Sequence, residues 1–354
     1  MEPSNSGINT RIILREYASK GVNSTSCFSI DRSQPVHSVD SLSEGQVLVK
    51  TFALSVDPHL RIYISAPEGS SGFNSPSEQH PLGEPMASIG VGTVIASRSV
   101  LFKTGDHVRS MTMPWQSFSV VADYSLIKLP QKEDVPLLSY LGMLGMPAFT
   151  AYLGIITIGK AKARETVLVS AASGAVGQIV VQLAKIHGLH VIGLAGSDEK
   201  TAFVKSIGAD AVINYKACDN LDAAIRQVIP QGIDIYFDSV GGSILDAAIL
   251  NLNAYARVIL CGSMSSFGAD KSLTEGVKNL DALITKEVTM KGVLYSLHSG
   301  TQDEIEFFQE MSQLVEQEKI TFKVDERSGL ESAPQALVDL YAGKNFGKVV
   351  VKVE

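Results

Sequence analysis

The stretch Thr166-Val-Leu-Val-Ser-Ala171, which runs directly into Ala172-Ser-Gly-Ala-Val-Gly177, decides the fold of this chain. Its first half is a short apolar run and predicts a buried strand. Its second half is a glycine-containing turn, and from Gln178 to Gly188 apolar residues return with the period of a helix. A strand, a glycine turn and a helix in this order are typical of the start of a dinucleotide-binding unit.

Two glycines of the turn suit this chemistry. Gly174 would let the backbone approach a pyrophosphate, and Gly177 would let the helix pack closely on the strand. Free N–H groups at the start of the helix would face the anion. Ala172 stands where the fingerprint has its first glycine. The turn alone is therefore equally compatible with a glycine turn that binds nothing.

The surrounding chain supplies the context of a parallel sheet. Six apolar runs alternate with helical segments, at residues 166–171, 189–195, 211–214, 234–238, 257–262 and 289–295. This alternation predicts an α/β fold with a doubly wound parallel sheet that is covered on both faces. Residues 11–129 are rich in strands and turns and predict a separate β-rich domain. The last apolar run, 348–353, has no helix after it and is compatible with a return to that domain.

Length and charge narrow the class of protein. A chain of 354 residues exceeds a typical single core, so we expect two domains. The net charge of -7, with no basic run, gives no support for nucleic-acid binding. Apolar stretches long enough for a membrane span, about 18 residues, are interrupted by polar residues or glycine. The first residues also lack the charged and apolar regions of a signal peptide.

The cysteines indicate the compartment. Cys27, Cys218 and Cys261 are isolated, with neither the spacing of a metal site nor that of a disulfide framework. Small buried hydrophobic side chains are the simplest interpretation. We therefore expect a cytoplasmic protein without a metal ion.

The end of the second strand of the parallel sheet selects the cofactor. An acidic residue there would hydrogen-bond the adenosine ribose and repel a 2′-phosphate. This chain has the uncharged sequence Leu194-Ala-Gly-Ser197, followed by Lys200, and Tyr215 closes the next strand. A cation and a phenol favour NADPH over NADH. Asp198 and Glu199 leave an alternative open, although both could simply complement the helix dipole.

With these residues in view, the chain resembles the medium-chain dehydrogenase/reductase superfamily, and within it the zinc-free prostaglandin reductase and NADP-dependent alkenal double-bond reductase family. The resemblance covers nearly the whole chain. The matching segments are Ser55-Val-Asp-Pro-His-Leu-Arg61, Gly83-Glu-Pro-Met86, Gly145-Met-Pro147, Thr150-Ala-Tyr152, Ala171-Ala-Ser-Gly-Ala-Val-Gly177, Ala195-Gly-Ser-Asp-Glu-Lys200, Asn214-Tyr-Lys216, Phe237-Asp-Ser-Val-Gly-Gly242, Cys261-Gly-Ser-Met-Ser-Ser-Phe267 and Asn345-Phe-Gly-Lys348.

The resemblance implies a domain plan and a reaction. A GroES-like catalytic domain at 1–138 would precede a Rossmann NADPH-binding domain at 139–312, and a segment at 313–354 would return to the catalytic domain. The active site would lie in the cleft between them, and a homodimer would form through the Rossmann domain. The reaction would be NADPH-dependent reduction of the C=C bond of α,β-unsaturated aldehydes and ketones, with hydride transfer to the β-carbon and no metal. Hydride addition yields an enolate, which hydrogen bonds can stabilise.

The resemblance also implies the site residues. Gly174 to Gly177 would hold the pyrophosphate, Lys200 and Tyr215 the 2′-phosphate, and the backbone of residues 293–295 the nicotinamide amide. The full set implied for the cofactor is Met146, Thr150, Ser173, Gly174, Ala175, Val176, Gly177, Gly196, Ser197, Lys200, Tyr215, Ser239, Cys261, Gly262, Ser263, Phe267, Val293, Leu294, Tyr295 and Asn345.

The candidate catalytic residues depart from the family. His59 and Phe267 stand where the family usually has tyrosine, and phenylalanine cannot donate a hydrogen bond. His59 could polarise the substrate carbonyl, or be structural and leave that task to the ribose hydroxyl, or the substrate oxygen could lie elsewhere. Further candidate donors are Tyr63, Tyr152 and Tyr295. A quinone reductase, or a cofactor-binding protein with little turnover, remains the alternative.

Overall fold

The structure is a computed structural model that describes residues 7–18, 24–65, 79–131, 135–266 and 276–353. The chain divides into two compact units, one formed by Met1–Leu141 with Val324–Glu354 and the other by Gly142–Lys323. We call them unit 1 and unit 2. The boundary expected at 312 falls inside a helix, Gln302–Glu316, and the division comes after that helix instead. Phe267 lies outside the described residues.

The described residues form fifteen strands, which are numbered in chain order. They are β1 (Ile8–Leu14), β2 (Phe28–Pro35), β3 (Gln46–Ser55), β4 (Ala87–Ser97), β5 (His107–Pro114), β6 (Phe118–Ala122), β7 (Leu126–Lys128), β8 (Thr166–Val169), β9 (His190–Ala195), β10 (Ala211–Asn214), β11 (Ile233–Asp238), β12 (Leu252–Leu260), β13 (Thr289–Gly292), β14 (Val324–Ser328) and β15 (Lys348–Lys352).

The α-helices of the same residues are numbered in the same way. They are α1 (Leu60–Ile64), α2 (Met146–Tyr152), α3 (Gly177–Ile186), α4 (Asp198–Ser206), α5 (Leu221–Val228), α6 (Gly242–Leu250), α7 (Asp281–Thr285), α8 (Gln302–Glu316) and α9 (Ala333–Tyr341). No helix among the described residues is both long and apolar enough to cross a membrane.

Unit 2 is built on a six-stranded parallel sheet with the order β10-β9-β8-β11-β12-β13. After β10 the chain crosses to the other half of the sheet and forms β11 next to β8. The switch point of this doubly wound sheet therefore lies between β8 and β11. Strand β8 is buried along its whole length, because helices cover both faces of the sheet. The predicted α/β class and the doubly wound parallel sheet are confirmed.

Unit 1 contains a seven-stranded sheet with the order β14-β15-β3-β4-β5-β7, and β6 also pairs with β3. Strand β15 pairs antiparallel with β3, Val351 opposite Leu54. The last strand of the chain thus joins the sheet of the first hundred residues. Apolar side chains of this sheet pack with α9 around the fully buried Trp115.

Helix α2 continues into a π-helical turn, Leu153–Ile158, in which the N–H of Gly159 donates to the carbonyl of Gly154 at 2.9 Å. A Cβ on Gly154 would lie 2.3 Å from the ring of Phe237, so only glycine allows this approach to β11. Wide turns of this kind are frequent at functional sites. Here the turn brings α2 and the end of β11 into one region of unit 2.

Candidate functional site

The turn after β8 is shaped by its backbone. The strand ends at Val169, earlier than predicted, because Ala171 turns out of the sheet with a φ of 47°. A Cβ on Gly177 would lie 2.3 Å from the carbonyl oxygen of Ala171, and one on Gly174 would lie 3.1 Å from the same atom. Helix α3 therefore starts directly against the turn, at Gly177. In α3 itself the N–H groups of Gln178 and Ile179 already donate to the carbonyls of Gly174 and Val176 at 3.1 and 3.0 Å, so an anion would bind at the N–H groups of residues 175–177.

A buried carboxylate fixes the neighbouring strand end. Asp238 is fully buried, and its Oδ1 accepts hydrogen bonds from Tyr236 Oη at 2.9 Å, from Ser170 Oγ at 3.3 Å and from the N–H of Gly241 at 3.0 Å. Burial, followed by the charge of Asp238, raises the pKa of Tyr236 well above its ordinary value, so the phenol keeps its proton. The carboxylate ties the first residues after β11 to those after β8.

The predicted residues after β11 and β12 are connected through this anchor. The N–H of Ser239 donates to Ser170 Oγ at 2.8 Å. The N–H groups of Cys261 and Gly262 donate to the carbonyl of Asp238 at 2.7 and 3.2 Å. Burial raises the pKa of the Cys261 thiol to about 12, so this side chain is an uncharged packing residue at neutral pH. These segments form a continuous rim beside the turn after β8.

The residues predicted to select NADPH lie together after β9 and β10. A Cβ on Gly196 would lie 2.9 Å from Tyr215 Oη, so the phenol sits against this glycine. Ser197 caps α4, with its Oγ accepting from the N–H of Lys200 at 3.3 Å. The side chain of Asn214 donates to Asp198 Oδ1 at 2.9 Å. This contact ties the carboxylate of Asp198 to the end of β10.

Other predicted residues of unit 2 lie around α2 and after β13. Thr150 is buried and donates its hydroxyl to the carbonyl of Met146 at 2.9 Å. Helix α2 contacts the single turn Tyr295–Leu297. The N–H of Val293 extends the pairing of β13 by donating to the carbonyl of Leu260 at 3.0 Å. The structure therefore brings the α2 residues and residue 295 together.

Unit 1 contains Asn345 and two of the catalytic candidates, His59 and Tyr63. The side chain of Asn345 donates to the carbonyl of Gly347 at 3.0 Å. His59 immediately precedes α1, and its ring meets the ring of Tyr63 edge-on with the ring centres 5.8 Å apart. Tyr63 also lines an open cavity of about 660 Å³ with His80, Glu84 and Met111.

A buried ion pair supports the turn that carries His59. Lys348 is 1% exposed, and its ammonium donates to Asp57 Oδ1 at 2.9 Å. The hydroxyl of Ser55 donates to the other carboxylate oxygen. Burial alone would raise the pKa of Asp57, but Lys348, His59 and the Ser55 hydroxyl together lower it below the ordinary value. Asp57 is therefore ionised at neutral pH, and its charge opposes the lowering that burial imposes on the pKa of Lys348.

His59 itself is neutral at neutral pH. Burial and, to a smaller extent, the charge of Lys348 lower its pKa, and the opposing effect of Asp57 does not compensate. A neutral imidazole has one N–H to donate, and the other ring nitrogen accepts. The neutral ring can therefore donate one hydrogen bond without any change in its charge.

Asp57, Asp238 and Lys348 occur within the quoted motifs, but the sequence assigns them no role. Their roles depend on partners far away in the sequence, which no local pattern reveals: Asp57 and Lys348 are almost three hundred positions apart. Tyr341, in α9, was likewise missed. The one available signal was the presence of charged residues inside otherwise apolar runs, where a charge needs a partner.

Within the described ranges, no group of three or more histidine, cysteine, aspartate or glutamate side chains could hold a metal ion.

Two family models match the chain. The model described as "Zinc-binding dehydrogenase" matches residues 175–316, and the model described as "N-terminal domain of oxidoreductase" matches residues 11–129. The first match covers most of unit 2, and the second covers most of the part of unit 1 that precedes it.

Characterised relatives match along most of the chain. It is 41% identical to 2-alkenal reductase (NADP(+)-dependent) of Nicotiana tabacum, over 87% of this chain and 88% of the relative. It is 36% identical to (+)-pulegone reductase of Mentha piperita, over 98% of both proteins. Among solved structures, CurA from Vibrio vulnificus in complex with NADPH superimposes with a TM-score of 0.86 at 33% identity, over 98% of this chain and 99% of that one.

Proposed function

Because the chain belongs to the zinc-free prostaglandin reductase and alkenal double-bond reductase family of the medium-chain dehydrogenase/reductase superfamily, we propose that it uses NADPH to reduce the C=C bond of α,β-unsaturated aldehydes and ketones. The likeness to 2-alkenal reductase along 87% of the chain carries this proposal. The names of two further relatives, pulegone reductase and NADPH-dependent curcumin reductase, agree with a conjugated carbonyl substrate.

The residues of unit 2 fit such a cofactor. Residues 173–177 would hold the pyrophosphate, since this turn leads directly into the N-terminus of α3, where the helix dipole favours an anion. Ser197, Lys200 and Tyr215 would hold the 2′-phosphate beside Gly196, while the nearby carboxylate of Asp198 accepts a hydrogen bond from the side chain of Asn214. The backbone at 293–295, together with Met146 and Thr150, would line the nicotinamide. Bound there, NADPH supplies the hydride for the β-carbon.

The protein must then stabilise the charge that develops on the substrate oxygen. Negative charge on the carbonyl oxygen grows as the enolate forms, and a correctly placed donor lowers the barrier. We assign this donor to His59, whose neutral ring has an N–H to give. Tyr63 and Tyr295 are the other candidates. Solvent then delivers a proton to the α-carbon.

The test is spectrophotometric. The protein is mixed with NADPH or NADH and with alkenals, cyclic enones, simple quinones and saturated aldehydes. We expect oxidation of NADPH with the conjugated carbonyls and little with the saturated aldehydes or with NADH. Faster turnover of quinones than of enones would replace the proposal by a quinone reductase. Tight NADPH binding without any oxidation would indicate a binding protein.

The assignment of His59 has its own test. His59→Phe removes the donor but keeps a flat ring against Tyr63. We expect kcat with an enone to fall about 100-fold, the usual effect of losing one such donor, while the KM for NADPH stays the same. A variant with full turnover would remove His59 from the mechanism.

We also propose a homodimer formed through unit 2. Strand β13 is the last of its sheet and has no further strand partner within the described residues. Large apolar side chains near it are exposed: Ile284 is 79% exposed and Leu297 is 76% exposed. A second copy would cover them. Light scattering should give twice the chain mass, and Ile284→Asp with Leu297→Asp should give a monomer.

A cytoplasmic location is proposed on the state of the thiols. Cys27, Cys218 and Cys261 are all free, as expected in a reducing compartment. Recovery of the protein in the cytosolic fraction of its own cells would support this location, and recovery in an oxidising compartment would refute it.

A further inference from the structure

Two side chains from the end of unit 1 hold the turn that carries His59. The first is Lys348 on β15. Besides its bond to Asp57, its ammonium donates to the carbonyls of Val56 and Val349, both at 3.0 Å. All three donors of the ammonium are used, and the side chain is 1% exposed. The backbone just before His59 is therefore fixed to the C-terminal strand.

The second side chain is Tyr341 at the end of α9. Its hydroxyl donates to the carbonyl of Pro58 and accepts from the N–H of Arg61 at 3.1 Å. One hydroxyl thus bridges the residues on either side of the first turn of α1. Burial raises the pKa of Tyr341, so the phenol keeps the proton that it donates. The backbone around and after His59 is fixed to α9.

Within the part of the chain that the structure describes, the ring of His59 has no comparable anchor of its own. The ring meets Tyr63 edge-on, a contact that leaves its nitrogens unspecified. Helix α1 has only five residues, which is too short to be stable without packing. The position of the imidazole must then come from the backbone on both sides of it.

We propose that Lys348 and Tyr341 are positioning residues for His59, acting as a two-sided clamp that sets the direction of its imidazole N–H. This inference rests on the proposed function, in which that N–H meets the substrate oxygen. It gives the C-terminal segment a task in the reaction, although neither side chain touches the substrate. A displacement of about 1 Å at a reacting group can cost about 100-fold in rate.

The clamp also sets the charges that face His59. Asp57 lies on the same turn and favours the protonated ring, whereas Lys348 on β15 disfavours it. The ring of Tyr63 on α1 meets the imidazole edge-on, burial keeps the phenol of Tyr341 on α9 protonated by raising its pKa, and Arg61 is the remaining cation of the turn. Without the Lys348 cation, Asp57 is the dominant charge near His59, so the pKa of His59 should rise.

The experiment compares Lys348→Met and Tyr341→Phe with two controls. Lys352→Met removes a half-exposed cation from the same strand, and Tyr124→Phe removes an exposed hydroxyl from unit 1. Each variant is assayed with NADPH and a cyclic enone, and its folding is checked by circular dichroism and thermal melting. The titration of His59 is followed by NMR, with His59→Phe used to assign the signal.

If the clamp positions His59, its loss should lower kcat without changing the KM for NADPH. We expect kcat to fall about 100-fold in Lys348→Met and less in Tyr341→Phe, with the KM for NADPH unchanged in both. The His59 signal should titrate at a higher pH in Lys348→Met and at the wild-type pH in both controls. Both controls should keep the wild-type kcat.

Other outcomes overturn the clamp. Folded variants that keep the wild-type kcat, or that lose thermal stability alone, show that the two residues are structural. If Lys348→Met does not fold, the kcat of Tyr341→Phe decides, because that change deletes a single oxygen.

Failure of the proposed function looks different. If wild-type protein does not turn over enones, or if His59→Phe is fully active, the catalytic assignment fails while the NMR titration still reports whether Lys348 acts on His59.

Discussion

Each unit has a turn that carries candidate site residues, and the two turns are held in opposite ways. The turn at residues 170–177 in unit 2 is shaped by its own backbone, where Gly177 allows an approach that any side chain would block. The turn at 55–61 in unit 1 has ordinary backbone and is held by buried charges and hydroxyls from the far end of the chain. The first is local and the second is non-local. They should therefore fail differently when altered.

The difference matches the task of each turn. Binding a pyrophosphate needs N–H groups and close backbone approach, and a short glycine-containing motif supplies both. Aiming one imidazole needs rigidity in a short helix, which only tertiary contacts can provide. A buried ion pair is sensitive to substitution, because removal of one partner leaves the other charge uncompensated in the interior.

The largest expected effect tests that support. Asp57→Asn keeps the size of the side chain but leaves the Lys348 ammonium buried without a counter-charge. We expect the free energy of unfolding at neutral pH to fall by about 3–5 kcal/mol. Urea unfolding measures it. The control is Glu326→Gln, which breaks the exposed pair with Lys352 and should cost less than about 1 kcal/mol.

The pH dependence of that difference follows from the same contact. Because the folded pKa of Asp57 is lowered, its contribution to stability is fully present above the unfolded pKa of about 3.9 and is lost as the pH falls through the folded value. The gap between wild type and Asp57→Asn should narrow in acid. A gap that is constant down to low pH would mean that the ion pair contributes nothing.

A smaller effect is expected at the backbone-shaped turn. In Gly177→Ala the new Cβ would lie 2.3 Å from the carbonyl of Ala171, so the turn or α3 must shift. We expect a loss of about 1–3 kcal/mol in stability, the usual range for overpacking, together with weaker NADPH binding. Urea unfolding measures the change in stability, and cofactor fluorescence measures the affinity for NADPH. Gly276→Ala, which places its Cβ in open space, should change neither.

The contrast between the turns also explains what the sequence could predict. The doubly wound sheet follows from six apolar runs with helical segments between them, because each run is a continuous stretch of the sequence, even though the edge strand β13 is largely exposed. The glycine turn and the group around Gly196 are readable for the same reason: their residues are near one another in the chain. Even there, the strand proved shorter than predicted, because Ala171 adopts a positive φ that nothing in the local sequence requires.

The supports of His59 could not be predicted in this way. The sequence predicts Lys348 only as the first residue of a last strand, and it shows Asp57 only as one residue of the 55–61 motif. Only the pairing of β15 with β3 brings them within hydrogen-bond distance. Asp238 is similar, since its partners come from the end of β8 and the start of α6. Burial of a charge is visible only when the sheet is assembled.

The smallest expected effect separates cofactor choice from stability. Lys200→Gln removes the cation from the first turn of α4 and leaves a side chain of nearly the same length. If it meets the 2′-phosphate, the KM for NADPH should rise about tenfold, equal to about 1.4 kcal/mol, while that for NADH stays the same. Lys205→Gln, later on α4, is the control and should alter neither KM. Equal changes for both cofactors would show that Lys200 supports the fold of the helix start, and the group around Gly196 would then not be what selects NADPH.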